Sequence, residues 1–335
     1  MNESIICALL ASFLLSASAR AEPKVIDPGA VWPDDRGRHI QAHGGAIIKL
    51  ANSFYWFGED RSPGNDPHKR YVACYASNDL AHWTFRNQVL KLELPEIGPK
   101  LVLERPKVYF NSKTGKFVMY MHIDGPGTPE GKGNGYALAR VGVATCDTVD
   151  GNYAFLRSFR PLNQESRDIG QFVDDDGLAY LIFESRPSKG FFIASLSEDY
   201  LDVKKGVAFI PMSLEGNALV HYKGLYYVVG SGLTGWGANS NKYASAEHLE
   251  GPWSAFQDIA APASKTYGSQ STFLLKITGS KTTSVIFMAD IWKPRMLSDS
   301  RYLWMPLEIG AGKLTLPKPQ PWSIDVGTGE TVVGK

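Results

Sequence analysis

The sequence predicts an all-β fold, a five-bladed β-propeller, and three observations carry that prediction. One unit recurs five times: a polar residue, an apolar strand, a tight turn and a second apolar strand. The repeats run about 50 to 60 residues with no helical periodicity between them, as propeller blades do. The composition agrees, because 33 Gly, 20 Pro and 12% aromatic residues favour strands joined by frequent turns.

The first unit places His43-Gly44-Gly45 before AIIKL, followed by FYWFGE from Phe54 to Glu59. In the second, Glu104-Arg105 precedes PKVYF, an Asn-Ser-Lys-Thr-Gly turn and KFVMYMH. Asp168 precedes IGQFV in the third, with a turn at Asp174-Asp175-Asp176-Gly177 and then LAYLIFES. The fourth has Glu215 before a strand from Asn217 to Tyr222, a Lys223-Gly224 turn whose glycine tolerates the required backbone angles, and a strand from Leu225 to Gly230. Gln270 opens the fifth, before STFLLKI and SVIFMADIW. From the polar residue to the middle of the second strand is 12 residues in units one, three and four, 14 in unit two and 16 in unit five. Such regularity marks a repeated unit. A third strand follows in most copies, as in RYVACYASNDLAHW and NKYASAEHLEGPW, and Trp83, Trp253 and Trp304 recur there as core residues. Val25 to Asp27 or Val326 to Val333 are expected to supply closing strands.

The first strand of every propeller blade lines the central axis, so the residues at its entrance, distant along the chain, gather around one pocket. Such a pocket suits glycoside hydrolysis, which needs a proton donor for the leaving oxygen and a second group on the opposite sugar face. Glu215 is the candidate donor, because Leu214 and Leu219 beside it would bury its carboxyl and favour the protonated form. Asp168 would hold a negative charge nearby, and Glu104 is followed by the fork-shaped donor Arg105, suited to a carboxylate or a sugar hydroxyl. Gln270 has no useful basicity; it either orients water or lines the pocket. Glu59 could accept hydrogen bonds from sugar hydroxyls. Tyr136, Trp236 and Trp292 lie outside strand alternation and are candidate walls, since aromatic planes stack on sugar faces.

At 335 residues and 44% hydrophobic, the chain can bury a large core, and no linker divides residues 22–335, read as one propeller domain. A formal charge of +1 excludes nucleic acid or an acidic membrane held by bulk electrostatics. Residues 1–21, with an apolar run from Ile5 to Ala17 and Ala19-Arg20-Ala21, read as a secretory signal peptide, although the usual basic start is missing. The mature protein is therefore expected to be secreted or periplasmic, free of the membrane and monomeric, with Cys74 and Cys146 as buried free thiols. No esterase elbow, phosphate-binding loop or zinc-protease motif occurs, and the seven His lack ligand spacing. No cofactor is expected. Asp174 to Asp176 read as a plain turn rather than a calcium site, and His43 is left open as a contact to water or metal on the axis.

RDIGQFVDDDGLAYLIF and EGNALVHYKGLYYVV resemble hallmark segments of glycoside hydrolase family 43, inverting five-bladed propellers. The resemblance implies that Glu215 is the acid and that Asp168 modulates it. The family's base, an Asp in blade one, has no counterpart in QAHGGAI. One branch, the exo-β-1,3-galactanases, shares that absence and resembles this chain in IQAHGG, WFGE, ERPKVYFN, SGLTGW, GSQSTF and LSDSRYLW. This likeness implies that Gln270 stands in for the base, as an imidic acid in one view, that Glu104 is also required, and that Glu59, Tyr136, Asp168 and Thr234 hold the galactose. It implies an enzyme releasing galactose from the non-reducing end of β-1,3-galactan, the backbone of arabinogalactan. EGNAL and FESRPSKG depart from the branch pattern, which touches the leaving-sugar contacts. A family-43 arabinofuranosidase or xylosidase and a non-catalytic carbohydrate-binding propeller are the competing readings.

Overall fold

A computed structural model describes residues 25–126 and 135–334. The expected leader, residues 1–21, lies outside them. The described residues form five antiparallel blades in chain order, a five-bladed β-propeller. Blade one holds β1 (His43–Leu50), β2 (Ser53–Glu59), β3 (Arg70–Ser77) and β4 (Thr84–Leu92). Blade two holds β5 (Val102–Asn111), β6 (Lys116–Asp124), β7 (Arg140–Cys146) and β8 (Ala154–Phe159). Blade three comprises β9 (Ile169–Val173), β10 (Ala179–Ser185), β11 (Gly190–Leu196) and β12 (Val203–Ile210). Blade four comprises β13 (Leu214–Tyr222), β14 (Leu225–Gly232), β15 (Lys242–Ala246) and the two-residue β16 (Gln257–Asp258). Blade five has three strands, β17 (Gln270–Thr278), β18 (Thr283–Ile291) and β19 (Arg301–Pro306). The innermost strands β1, β5, β9, β13 and β17 touch one another around the axis.

The middle strands show why the chain folds this way. A strand buried on both faces is apolar throughout, its side chains alternating between two layers. Along β6, Phe117, Met119, Met121 and Ile123 enter the layer between blades one and two. Val118 and Tyr120, one step out of phase, enter the layer between blades two and three. The outer strands were not foreseen, because β8 and β12 carry mostly exposed or half-buried residues and give little pattern.

Both segments expected to close the ring contribute. Ile26 pairs with Trp322 in β22 (Trp322–Ile324), which pairs with β23 (Thr331–Val333), and the Gly29 N–H donates to the Tyr302 carbonyl at 2.8 Å. A short hairpin of β20 (Glu308–Gly310) and β21 (Lys313–Thr315) precedes them. Between blades five and one, Trp56 meets Tyr302 and Trp304 with ring centroids 4.6 Å apart in each case, and Trp32 meets Trp304 at 5.0 Å. Each such pair adds about 1 kcal/mol beyond the area it buries. Trp83 and Trp304 are core residues as expected, while Trp253 is half-buried at the edge of its layer. Cys74 and Cys146 are both free; Cys74 is buried, but Cys146 is only half-buried, contrary to expectation.

Candidate active site

Bulges aim the site residues. In β1, β5 and β13 the pairing with the next strand slips directly after His43, Glu104 and Glu215. The residue that follows each is left-handed: Gly44 at φ +59°, Arg105 at +51° and Gly216 at +63°. A bulge of this kind bends the strand and redirects the side chain before it. Glycine is required at Gly216, because an added Cβ would lie 2.5 Å from the Ser271 carbonyl oxygen. Arg105 occupies the same position without that freedom, at a cost of about 1 kcal/mol or more. Its contacts hold it there.

The Arg105 backbone N–H donates to Glu59 Oε1 at 2.9 Å, and its guanidinium reaches Asp168 Oδ2 at 2.6 Å, Gln270 Oε1 at 2.7 Å and the Ser271 carbonyl at 3.1 Å. Arg105 thus ties together residues from blades one, two, three and five. Gln270 Oε1 also accepts from Trp292 Nε1 at 2.8 Å, and Gln270 Nε2 donates to Glu215 Oε1 at 3.0 Å. The Gly216 N–H donates to Asp168 Oδ2 at 3.0 Å. Glu104, Asp168, Glu215 and Gln270 therefore converge on the axis. With Glu59, Arg105, Tyr136, Trp236 and Trp292 they line a cavity of about 290 Å³. This is the low end of ligand-pocket volumes, suited to one or two sugar rings.

The carboxyls are held in different states. Burial, then the Asp168 charge, raises the Glu215 pKa to about 8. Burial also pushes Glu104 up, but the His122 contact and charge, with Arg61 and Tyr136, outweigh it and hold Glu104 at about 2. The Tyr136 hydroxyl donates to Glu104 Oε1 at 2.7 Å. His122 Nδ1 lies 3.2 Å from Glu104 Oε2, an ion pair rather than a well-aligned hydrogen bond, and Nε2 lies 3.0 Å from Asp124 Oδ2. Burial lowers the His122 pKa, yet Asp124 and Glu104 prevail and raise it to about 9. One carboxyl in the cavity thus holds its proton near neutrality while another is ionised.

Trp236 and Trp292 form an edge-to-face wall, centroids 5.1 Å apart. Thr234 sits in the same loop but is exposed, its hydroxyl bonded to the Gly237 carbonyl and the Asn239 amide, and it does not line the cavity. A second recess of about 310 Å³ shares Glu59, Glu104, Tyr136 and Trp236 and runs outward past Arg61 and Lys69.

Two groups of residues were candidates for a metal. Glu104, His122 and Asp168 offer ligand atoms within 4.8 Å of one another. Arg105 already neutralises Asp168, and a protonated His122 has no lone pair to give, so the set suits an internal ion-pair network. Asp174, Asp175 and His221 cluster at the β9–β10 turn, where Lys276 pairs with Asp175 and supplies the cation. His43, on the axis, pairs with Asp290 at 3.1 Å and stacks on Tyr302.

Sequence reasoning missed His122, Asp124, Glu184, Arg186 and Lys107. Lys107 is wholly buried, and its Nζ donates to the carbonyls of Gly44, Gly45 and Thr272 at 2.8, 2.9 and 3.2 Å, joining blades one, two and five beneath the cavity. His122 and Glu184 in second strands, and Lys107 in an innermost one, share one signal, a polar residue among apolar neighbours in a buried strand.

An axial cavity lined by buried carboxyls suits a glycoside hydrolase, and the family match shows that class. Residues 40–271 match the glycosyl hydrolases family 43, and the chain belongs to that family. An exo-β-1,3-galactanase of Phanerochaete chrysosporium, solved as a glutamate-to-glutamine variant with β-1,3-galactotriose, is 39% identical with a TM-score of 0.85, over 93% of this chain and 71% of that one. An exo-β-1,3-galactanase of Clostridium thermocellum is 34% identical with a TM-score of 0.82, over 92% and 68%. A family-43 β-1,3-galactosidase, solved with galactodeoxynojirimycin, is 34% identical with a TM-score of 0.76, over 87% and 97%. These similarities place the chain in the exo-β-1,3-galactanase branch. Among the curated proteins, none matches it in sequence.

Proposed function

We propose that this enzyme releases galactose from the non-reducing end of β-1,3-galactan with inversion at the anomeric carbon, and that it works outside the cytoplasm. The observation that carries the reading is Glu215, a buried carboxyl raised to about 8 in a cavity sized for one or two sugars. Glu215 donates its proton to the leaving oxygen. Gln270 orients the attacking water through its amide N–H, galactose enters between the two, breaking their hydrogen bond, and the proton that the water sheds after attack passes to solvent through the open cavity. Glu104, paired with His122, and Asp168, paired with Arg105, stabilise positive charge developing on the sugar ring. The galactan-active relatives support the choice of sugar. Incubation with β-1,3-galactan should release galactose, first as the α-anomer by NMR. Release of arabinose or xylose from nitrophenyl glycosides, with none of galactose from galactan, would overturn the assignment.

A further inference from the structure

Two carboxyls share one guanidinium at the edge of the cavity. Arg186 Nε lies 3.2 Å from Glu184 Oε1, and Nη2 lies 3.4 Å from Glu215 Oε2. Glu184 is 1% exposed and is fixed through its backbone: its N–H donates to the Asp168 carbonyl at 3.1 Å, and its carbonyl accepts from the Arg167 N–H at 3.0 Å. Its Oε2 has no hydrogen-bond partner among the described residues. The reaction outlined above does not use this buried acid.

The charges around the pair can be balanced. Glu215 faces Asp168, Arg105, Glu184 and Arg186, with the neutral Gln270 on its other side. Glu184 faces Asp168, Arg186, Arg167 and His122; burial, then the Asp168 charge, raises it to about 7, so it carries its charge in the alkaline range where Glu215 titrates. Arg105 is committed to Asp168 at 2.6 Å, and Arg167 to Glu165 at 2.8 Å. Arg186 is therefore the cation left to two carboxyls, and it makes a single contact to each. A guanidinium docked wholly on Glu215 would favour the ionised form, the wrong one for a proton donor.

We propose that Glu184 is a positioning residue for the general acid: its buried carboxylate holds Arg186 back from Glu215, so that Glu215 keeps the proton it must deliver. The inference rests on Glu215 being the acid. Half-exposed Arg186 is then a movable counter-charge. Once Glu215 has given up its proton to the leaving oxygen, the guanidinium is at hand to stabilise the new carboxylate.

The test is the pH dependence of kcat/KM on β-1,3-galactobiose for Glu184→Gln and Arg186→Gln. Removing the Glu184 charge frees Arg186 for Glu215 and deletes a repelling anion. Both lower the acid's pKa, so the alkaline limb moves to lower pH. Removing Arg186 raises that pKa, so the limb moves to higher pH. Each shift should be about one pH unit. A purely structural role would lower both curves without moving their limbs. Limbs that stay in place, or that move in the same direction, overturn the proposal, and unchanged circular dichroism checks the fold of each variant. Glu215→Gln separates the two ideas: if it remains active, the acid assignment itself fails; if it is inactive while the limbs stay put, only the role of Glu184 is lost.

Discussion

Gln270 turns its amide nitrogen, not its oxygen, toward Glu215, with Nε2 3.0 Å from Glu215 Oε1. The orientation follows from the neighbours. Arg105 Nη2 and Trp292 Nε1 can only donate, so the atom they meet at 2.7 and 2.8 Å must be the carbonyl oxygen. An imidic acid would place a hydroxyl against those donors. The neutral amide is the form this pocket favours, and in the proposed reaction it positions water without itself taking a proton.

Substitutions at Gln270 test that reading. Gln270→Ala should lower kcat about 100-fold, the usual cost of losing one fixed polar contact at a reacting centre. Gln270→Glu retains acceptors for Arg105 and Trp292 but sets a carboxylate beside Glu215. The acid's pKa should rise, and the alkaline limb of kcat/KM should move to higher pH. A limb that stays where it is in Gln270→Glu would separate Gln270 from the acid.

As the proposed acid, Glu215 acts in its protonated form, so wild-type kcat/KM should fall as pH rises through about 8. Glu215→Gln should reduce kcat about 1,000-fold or more with the near-ultraviolet circular dichroism unchanged. More than a tenth of wild-type activity remaining would mean that another group donates the proton.

The buried Glu104–His122–Asp124 chain makes a stability prediction. His122 is raised from 6.5 to about 9, so its contribution is complete below 6.5 and lost as pH rises through 9. Glu104 is depressed to about 2, so its contribution is complete above 4.5 and lost as pH falls through 2. At pH 6, His122→Gln should destabilise the fold by about 3 kcal/mol. The gap between wild type and variant should narrow toward pH 9, measured by urea denaturation. A gap that is constant across this range would mean that the histidine acts by packing alone.

Lys107→Met keeps the side-chain volume but strands three buried carbonyls that now share one donor. Unfolding free energy should fall by about 2–4 kcal/mol. Stability within 0.5 kcal/mol or so of wild type would show that other donors can serve those carbonyls.

Glu104, Asp168, Glu215 and Gln270 were legible in the sequence because each sits where a loop becomes an inner strand, a boundary marked by a polar residue next to an apolar run. Their bulges were half visible: Gly44 and Gly216 follow His43 and Glu215, but Arg105 hides the same left-handed turn behind an ordinary residue. His122 and Glu184 were not found, since in KFVMYMHID and AYLIFES the alternation tells which layer a residue enters, not which partner from another blade awaits it. Arg105 was read as a contact for sugar or carboxylate. Its guanidinium does meet a carboxylate, Asp168 of blade three, and also reaches Gln270 and Ser271 of blade five, a geometry set by the curvature of the ring. The fourth strands were lost for a simpler reason: exposed residues leave little period to read.

The seam between blades five and one has a consequence for how the molecule is made. Ile26 and Gly29 from one end of the described chain meet Trp322 and Tyr302 from the other, so these contacts span nearly its whole length and carry a large loop-closure cost. Hairpins within a blade close short loops, whereas the cavity, walled by Glu59 of blade one and by Gln270 and Trp292 of blade five, needs the two sides of that seam brought together.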